Sequence, residues 1–272
     1  MSNENIFFIE GLPGTGKTTT SEWLHKNIGG KLISESSQGY PNDLYNIAGL
    51  PFKEYSELKI KFPIISDYTE KHGLYQYVNI NKIIEQKPDE KELCNELMKW
   101  DLGDERNLFI TAKHFINCSL DILKDRIVEF DNNNENIIMD SVWLQNPLNE
   151  LLLRNIGDNE AEEYCLSFIK SLKKISPVCI YLRRENPISS IRFACKTKGE
   201  EWTKRISEFL PTTPYGIANS LKGIDGVERY FSKRAEIEER IISKGIVKAL
   251  VINIDKVSWE VAHSDILSSI SR

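Results

Sequence analysis

The chain has 272 residues, 40% of them apolar and 28% charged, with a net charge of −5. That length buries a sizeable core without disulfide or metal staples, and the absence of any long block of one charge excludes wholesale disorder. The negative balance argues against a protein held on nucleic acid by its overall field.

The five cysteines, Cys94, Cys118, Cys165, Cys179 and Cys195, form no C-x-x-C pair and are odd in number. A disulfide framework or four-cysteine zinc site is therefore not expected, and reduced thiols in a cytoplasmic protein are. The N-terminus lacks a basic stretch followed by an apolar run, so no secretory leader is expected. No run of 18 apolar residues offers a membrane span.

Four apolar runs read as buried strands in chain order: Ile6–Ile9, Leu32–Ile33, Ile137–Met139 and Val178–Leu182, with a fifth at Ala249–Ile252. Helical stretches separate most of them, which predicts an α/β fold with a parallel sheet of about five strands covered on both faces. Residues 36–135 interrupt the alternation with about a hundred residues, where a simple crossover needs a few tens. Pro41, Pro51 and Pro63 punctuate this stretch, and helical patterns fall near 81–99 and 117–130. The reading is one domain over 1–272 with a helical insertion after the second strand, assigned to acceptor binding because long insertions at strand ends commonly build substrate pockets.

The strongest signal is Gly11-Leu12-Pro13-Gly14-Thr15-Gly16-Lys17-Thr18, which fits G-x-x-x-x-G-K-[ST] between an apolar strand and a helix over about 17–28. Glycines let the backbone turn its N–H groups toward phosphate oxygens, and the helix N-terminus adds partial positive charge. Gly11, Pro13, Gly14, Thr15, Gly16, Lys17, Thr18 and Thr19 are the candidates for the cradle. Lys17, expected to face solvent, would reach the outer phosphates of ATP, and Thr18 would give its hydroxyl to Mg²⁺.

From the loop onward the chain resembles the small P-loop kinases, nearest the deoxynucleoside kinase and thymidylate kinase group. The likeness covers the loop, the third strand and Tyr181-Leu182-Arg183-Arg184-Glu185-Asn186-Pro187, continuing through Arg192, Lys196 and Lys198 to Glu201. It implies a three-layer P-loop NTPase fold in which residues 183–202 form a lid whose cations close over the phosphates. Arg192 and Lys196 are four apart and share a helix face. The plainer alternative is a solvated basic face. Lys stands at two positions where the family prefers Arg, and Lys lacks the bidentate fork.

Related kinases end the third strand with an acidic residue followed by Arg; here Asp140 is followed by Ser141. The resemblance implies that Asp140 holds Mg²⁺, and a helix N-cap is the alternative. It also implies that Glu35, after the second strand, takes the proton from the acceptor hydroxyl; Glu35 and Asp140 both stay open as the base. Glu10 lies too near the phosphates to be one. Trp143 and Gln145 read as core and surface rather than substrate contacts. Tyr40, Tyr45, Trp100, His114 and Phe115 are in or near the insertion and none stands out. The charged stretch from Asp225 to about residue 243, with Arg229, Arg234, Glu236 and Glu239, reads as an exposed salt-bridged helix. By analogy Asp255 and Lys256 border the adenine.

The function expected is ATP- and Mg²⁺-dependent phosphoryl transfer to a nucleoside, nucleotide or other hydroxylated small molecule, with Lys17 and Arg192 stabilising the transferred group. The rival is a P-loop ATPase or switch working with a protein or nucleic-acid partner; the lack of N-K-x-D disfavours a GTPase. A homodimer stays open, and no membrane partner is expected.

Overall fold

The computed structural model describes residues 6–34, 43–128, 135–172 and 177–270, with the side chains of 125–128 set apart. They fall into two compact units, one drawn from Met1–Tyr40 and Val128–Arg272, the other from Pro41–Ile127.

In chain order the elements are β1 (Ile6–Gly11), α1 (Lys17–Ile28) and β2 (Lys31–Ile33), then β3 (Ile47–Pro51), α2 (Phe52–Lys61), a 3₁₀ segment (Pro63–Tyr68), β4 (Thr69–His72), β5 (Tyr75–Asn79), α3 (Ile80–Gln86), α4 (Lys91–Met98) and α5 (Ala112–Val128). The first unit resumes with β6 (Ile137–Asp140), α6 (Gln145–Leu153), α7 (Asp158–Ser171), β7 (Val178–Arg183), α8 (Pro187–Lys198), α9 (Glu200–Phe209), a 3₁₀ turn (Leu210–Thr212), α10 (Pro214–Ala218), α11 (Gly223–Ser243), β8 (Lys248–Asn253) and α12 (Trp259–Ile270). All five apolar runs are strands.

They form one parallel sheet in the order β2-β6-β1-β7-β8. Every residue of β1 is buried, as a central strand covered on both faces requires. On one face Phe7 and Ile9 pack with Leu24, Ile138, Ile180 and Ile266. On the other, Phe8 meets Trp143 and Phe168, with ring centroids 5.7 and 5.9 Å away. The register sets Ile9 beside Asp140, so the carboxyl ends of β1 and β6 lie side by side although 131 residues separate the pair. The chain leaves β1 toward one sheet edge, to β2, and leaves the neighbouring β6 toward the other, to β7 and β8, and the crevice at such a switch point is where open α/β sheets bind ligands.

Two expectations change. The insertion is not simply helical: residues 47–79 build a three-stranded antiparallel sheet, β3-β5-β4, closed by a tight β4–β5 turn at Gly73. The middle three residues of β3 and of β5 are all buried, so neither strand shows the alternation by which a half-buried strand is read. The unit has its own core of Ala48, Leu50, Tyr55, Ile65, Val78, Ile83, Leu93 and Leu97.

The second change is α11. Its Arg234 and Glu238 are wholly buried rather than exposed. Arg234 pairs with Glu238 at 2.8 Å and donates to Asn149 at 2.8 Å, while Tyr181 donates its hydroxyl to Glu238 at 2.9 Å. Mutual pairing is what permits two charges to leave water, and charge content alone does not reveal it.

Candidate functional site

The sequence from β1 to α1 forms a tight loop. Gly16 has φ 90° and begins α1, no described side chain caps that helix, and its first turn holds no acidic residue. The helix therefore offers uncapped N–H groups and the positive end of its dipole to an anion. Gly14 has φ 83°, and a Cβ there would lie 2.6 Å from the Ser190 carbonyl oxygen and 3.1 Å from the Ala194 nitrogen. Glycine is required twice over: for the turn, and for the close approach of α8.

Within the loop the Leu12 carbonyl accepts from Thr15 Oγ1 at 2.9 Å and from Lys17 Nζ at 3.1 Å. Lys17 is thus not solvent-facing; it is 8% exposed and folded back over its own loop. Thr18 stays exposed and donates its hydroxyl to Asp140 Oδ2 at 2.9 Å. The other oxygen, Oδ1, accepts from Ser141 Oγ at 2.8 Å. Ser141 has φ 67°, uncommon for a non-glycine residue, so some strain sits at this strand end.

Asp140 is not the cap of the following helix. That position belongs to Glu10, buried at the end of β1, whose Oε1 accepts from the Trp143 and Leu144 amides at 2.7 and 3.0 Å and whose Oε2 accepts from Gln145 at 3.0 Å. Burial, helped by the neighbouring Glu238 carboxylate, pushes Glu10 up to about 8 against the pull of the three amides. Sequence reasoning set Glu10 aside. The signal was present: a lone carboxylate in a strand buried on both faces must find donors.

Strand order 2-3-1-4-5 by position, all parallel, with this loop joining the central strand to its helix, decides the fold. It is the P-loop NTPase fold. No family model matches the chain, and no curated protein does. Among solved structures it is similar to deoxyadenosine kinase from M. mycoides. With the products dCMP and a flexible dCDP bound, that enzyme aligns at 14% identity and a TM-score of 0.47, over 98% of both chains. With dATP it aligns at 16% identity and a TM-score of 0.45, over 98% of this chain and 99% of that one.

The lid-like segment is helical, with Pro187 at its start and Asn186 capping the Ile188 amide at 2.9 Å. The side of α8 toward the loop carries Ser190 and Ala194. Arg192 falls roughly half a turn away from both. It is exposed, and its Nε donates to Glu228 on α11 at 2.7 Å. Lys196 is exposed, and Lys198 lies 5.2 Å from the Trp202 ring. Asp255 accepts from the Glu185 amide at 3.0 Å and pairs with Arg184, while Lys256 pairs with Glu185 at 3.0 Å. These contacts clasp the β7–α8 turn to the turn after β8.

Trp143 is core, its indole N–H donating to the Cys165 carbonyl at 3.1 Å. Gln145 is buried too, where the sequence suggests surface. Glu35 and Tyr40 lie outside the described residues. In the insertion, Tyr45 is exposed and Phe115 buried. His114 donates to the Gly49 carbonyl at 2.7 Å and stacks edge-on with Tyr75, and burial pushes its pKa down: a satisfied structural histidine. A cavity of about 420 Å³ opens beside α10 and α11, lined among others by Tyr215, Glu228 and Lys233. None of its lining residues belongs to the phosphate loop.

All five cysteines are free thiols. Among the described residues no helix is long and apolar enough to cross a membrane.

Proposed function

We propose that the chain is a kinase that moves the γ-phosphoryl group of ATP, with Mg²⁺, onto a hydroxyl or phosphate oxygen of a small molecule, a nucleoside or nucleotide foremost. The observation that carries this reading is the 2.9 Å contact between the Thr18 hydroxyl and the Asp140 carboxylate. It puts two hard oxygen ligands from residues 122 apart at the mouth of a helix N-terminus.

Those oxygens fit Mg²⁺. The ion keeps several waters and takes one or two protein oxygens plus phosphate, rather than an all-protein cage. Consistently, among the described residues no group of three His, Cys, Asp or Glu gathers into a metal site. Bound there, Mg²⁺ would neutralise charge on the β- and γ-phosphates.

The chain's own groups divide the remaining work. The loop amides hold the triphosphate. Lys17 exchanges the Leu12 carbonyl for phosphate oxygen and stabilises charge as the bridging P–O bond breaks and the acceptor oxygen bonds to phosphorus. Asp140 has both oxygens engaged by hydroxyl donors, an arrangement suited to holding a cation. The acceptor's proton goes to one of two carboxylates, Glu35 or Asp140. Arg192 joins the phosphates only by giving up Glu228.

The test is transfer of label from γ-labelled ATP onto a panel of nucleosides, nucleotides and other hydroxylated metabolites. A labelled acceptor is expected. Binding of ATP with release of free phosphate alone, across the panel, overturns the kinase reading in favour of an ATPase.

A further inference from the structure

The cavity of about 420 Å³ beside α10 and α11 is within the size range of small-molecule sites. Its apolar part is Ile188, Leu221 and the ring of Tyr215, which packs edge-on against Tyr230 at 5.6 Å. Its polar wall is one face of α11, where Asp225, Arg229 and Lys233 follow at four-residue spacing.

Asp and Arg four apart on an exposed helix ordinarily pair. Here both are exposed and they do not. The Arg229 guanidinium has no carboxylate partner among the described residues and donates only to the Asn219 carbonyl, at a long 3.4 Å. The Asp225 carboxylate is felt by Arg192 but forms no ion pair or hydrogen bond with a described residue. The Tyr215 hydroxyl likewise bonds to no described group. Burial pushes its pKa up while Lys233 and Arg229 pull it down, so it stays a protonated donor within electrostatic reach of both cations. The neighbouring charges are committed: Lys233 bridges Asp158 at 2.6 Å and Glu236 at 3.8 Å, and Glu228 holds Arg192 at 2.7 Å.

One cation, one anion and one phenol therefore line the cavity unpaired, next to its apolar part. A purely anionic ligand would meet Asp225, and a purely cationic one Arg229. A ligand carrying both charges close together avoids either repulsion, since Cβ atoms four apart on a helix are only about 5–6 Å from each other. An apolar remainder would lie on Ile188, Leu221 and Tyr215.

We propose that this cavity binds a free α-amino acid with an apolar side chain, its carboxylate on Arg229 and Tyr215 and its ammonium on Asp225. The site shares no residue with the phosphate loop, and the proposal does not depend on the kinase reading. Glu228 belongs to the same wall, so the occupant lies against the ion pair that ties α11 to Arg192 of α8.

The test is calorimetry on the full chain with L-leucine and L-phenylalanine, each beside two analogues that lack one charge. Isocaproate and hydrocinnamate lack the ammonium; isoamylamine and phenethylamine lack the carboxylate. At least one amino acid should bind, and removing either charge from it should weaken binding by about tenfold or more. Arg229→Gln and Asp225→Asn should each weaken the amino acid by a similar factor, and Tyr215→Phe by a smaller one. Unchanged thermal melting identifies variants that keep the fold. A chain that binds neither amino acid overturns the proposal. So does a one-charge analogue that binds as tightly as its parent, since the cavity would then be a simple anion or cation site; this comparison on the wild-type chain needs no variant. Binding left intact by every folded variant puts the amino acid elsewhere and overturns it as well.

Discussion

The phosphate loop and the lid-like helix α8 touch at Gly14, yet their charged groups are organised in opposite ways. At the loop, the candidate side chains already converge: Thr18 on Asp140, Ser141 on Asp140, Lys17 on Leu12. On α8 the cation expected to serve the phosphates is turned from the loop and held by Glu228. The first arrangement is fixed by backbone geometry, a strand end, a tight turn and a helix start, so a short motif specifies it. The second depends on which of two anions, a carboxylate 36 residues away or a bound phosphate, wins a long flexible side chain. Local chain geometry is written in spacing; the outcome of that competition is not.

Lys17→Ala should have the largest effect. Turnover is expected to fall on the order of 10³-fold, read by transfer of labelled phosphate. The melting temperature should hold, because the deleted ammonium bonds a carbonyl of its own loop rather than packing in the sheet core. Retained turnover in the folded variant would mean that the pre-assembled loop is not the reacting end of the molecule.

Asp140→Asn should come next. The neutral amide keeps a carbonyl oxygen for Thr18 but loses the charge a divalent cation needs. Apparent magnesium affinity should drop roughly 10- to 100-fold, seen as a shift in the magnesium dependence of turnover that high magnesium partly restores. Ser141→Ala removes only the second hydroxyl and should show the same shift in weaker form. A loss that magnesium does not rescue would reassign Asp140 from cation holding to proton transfer.

A third pair of variants tests the lid directly. Arg192 is exposed, so its bond to Glu228 is screened and weak. If phosphate competes for it, Glu228→Gln should raise turnover and Arg192→Ala should lower it, each by about tenfold or less. Two silent variants would leave α8 a backbone wall against Gly14 and remove Arg192 from the site.

How much was legible follows the same division. The five strands, α1 and the loop could be read because each is local: an apolar run, a helix period, a glycine pattern. Asp140 could be placed at a strand end, but its contact with Thr18 arises from the parallel pairing of β1 with β6, which no spacing encodes. The sheet in residues 47–79 stayed hidden because strands with buried centres lose their alternation. Arg234 and Glu238 looked like surface charge because pairing, not residue type, decides whether a charge can be buried.

The smallest effect on turnover is expected from Glu10→Gln, which lies behind the loop and touches nothing at its mouth. Its effect belongs to stability and to pH. Glu10 is raised from 4.5 to about 8 in the folded chain, so its contribution is fully present below about 4.5 and is lost as pH rises through 8. Unfolding free energy of the wild type, measured by urea titration at successive pH values, should therefore fall relative to the variant as pH rises from 5 to 8, by at most about 1.4 kcal/mol per unit. The comparison with Glu10→Gln is essential, because His114 is shifted the other way and adds stability over part of the same range. The amide keeps one acceptor oxygen for the amides of residues 143–145, so the fold should survive. A wild-type-minus-variant difference that does not change with pH would show that the three amide donors hold the carboxylate charged. The β1 end would then be an ionised cap, as pre-formed as the loop it supports.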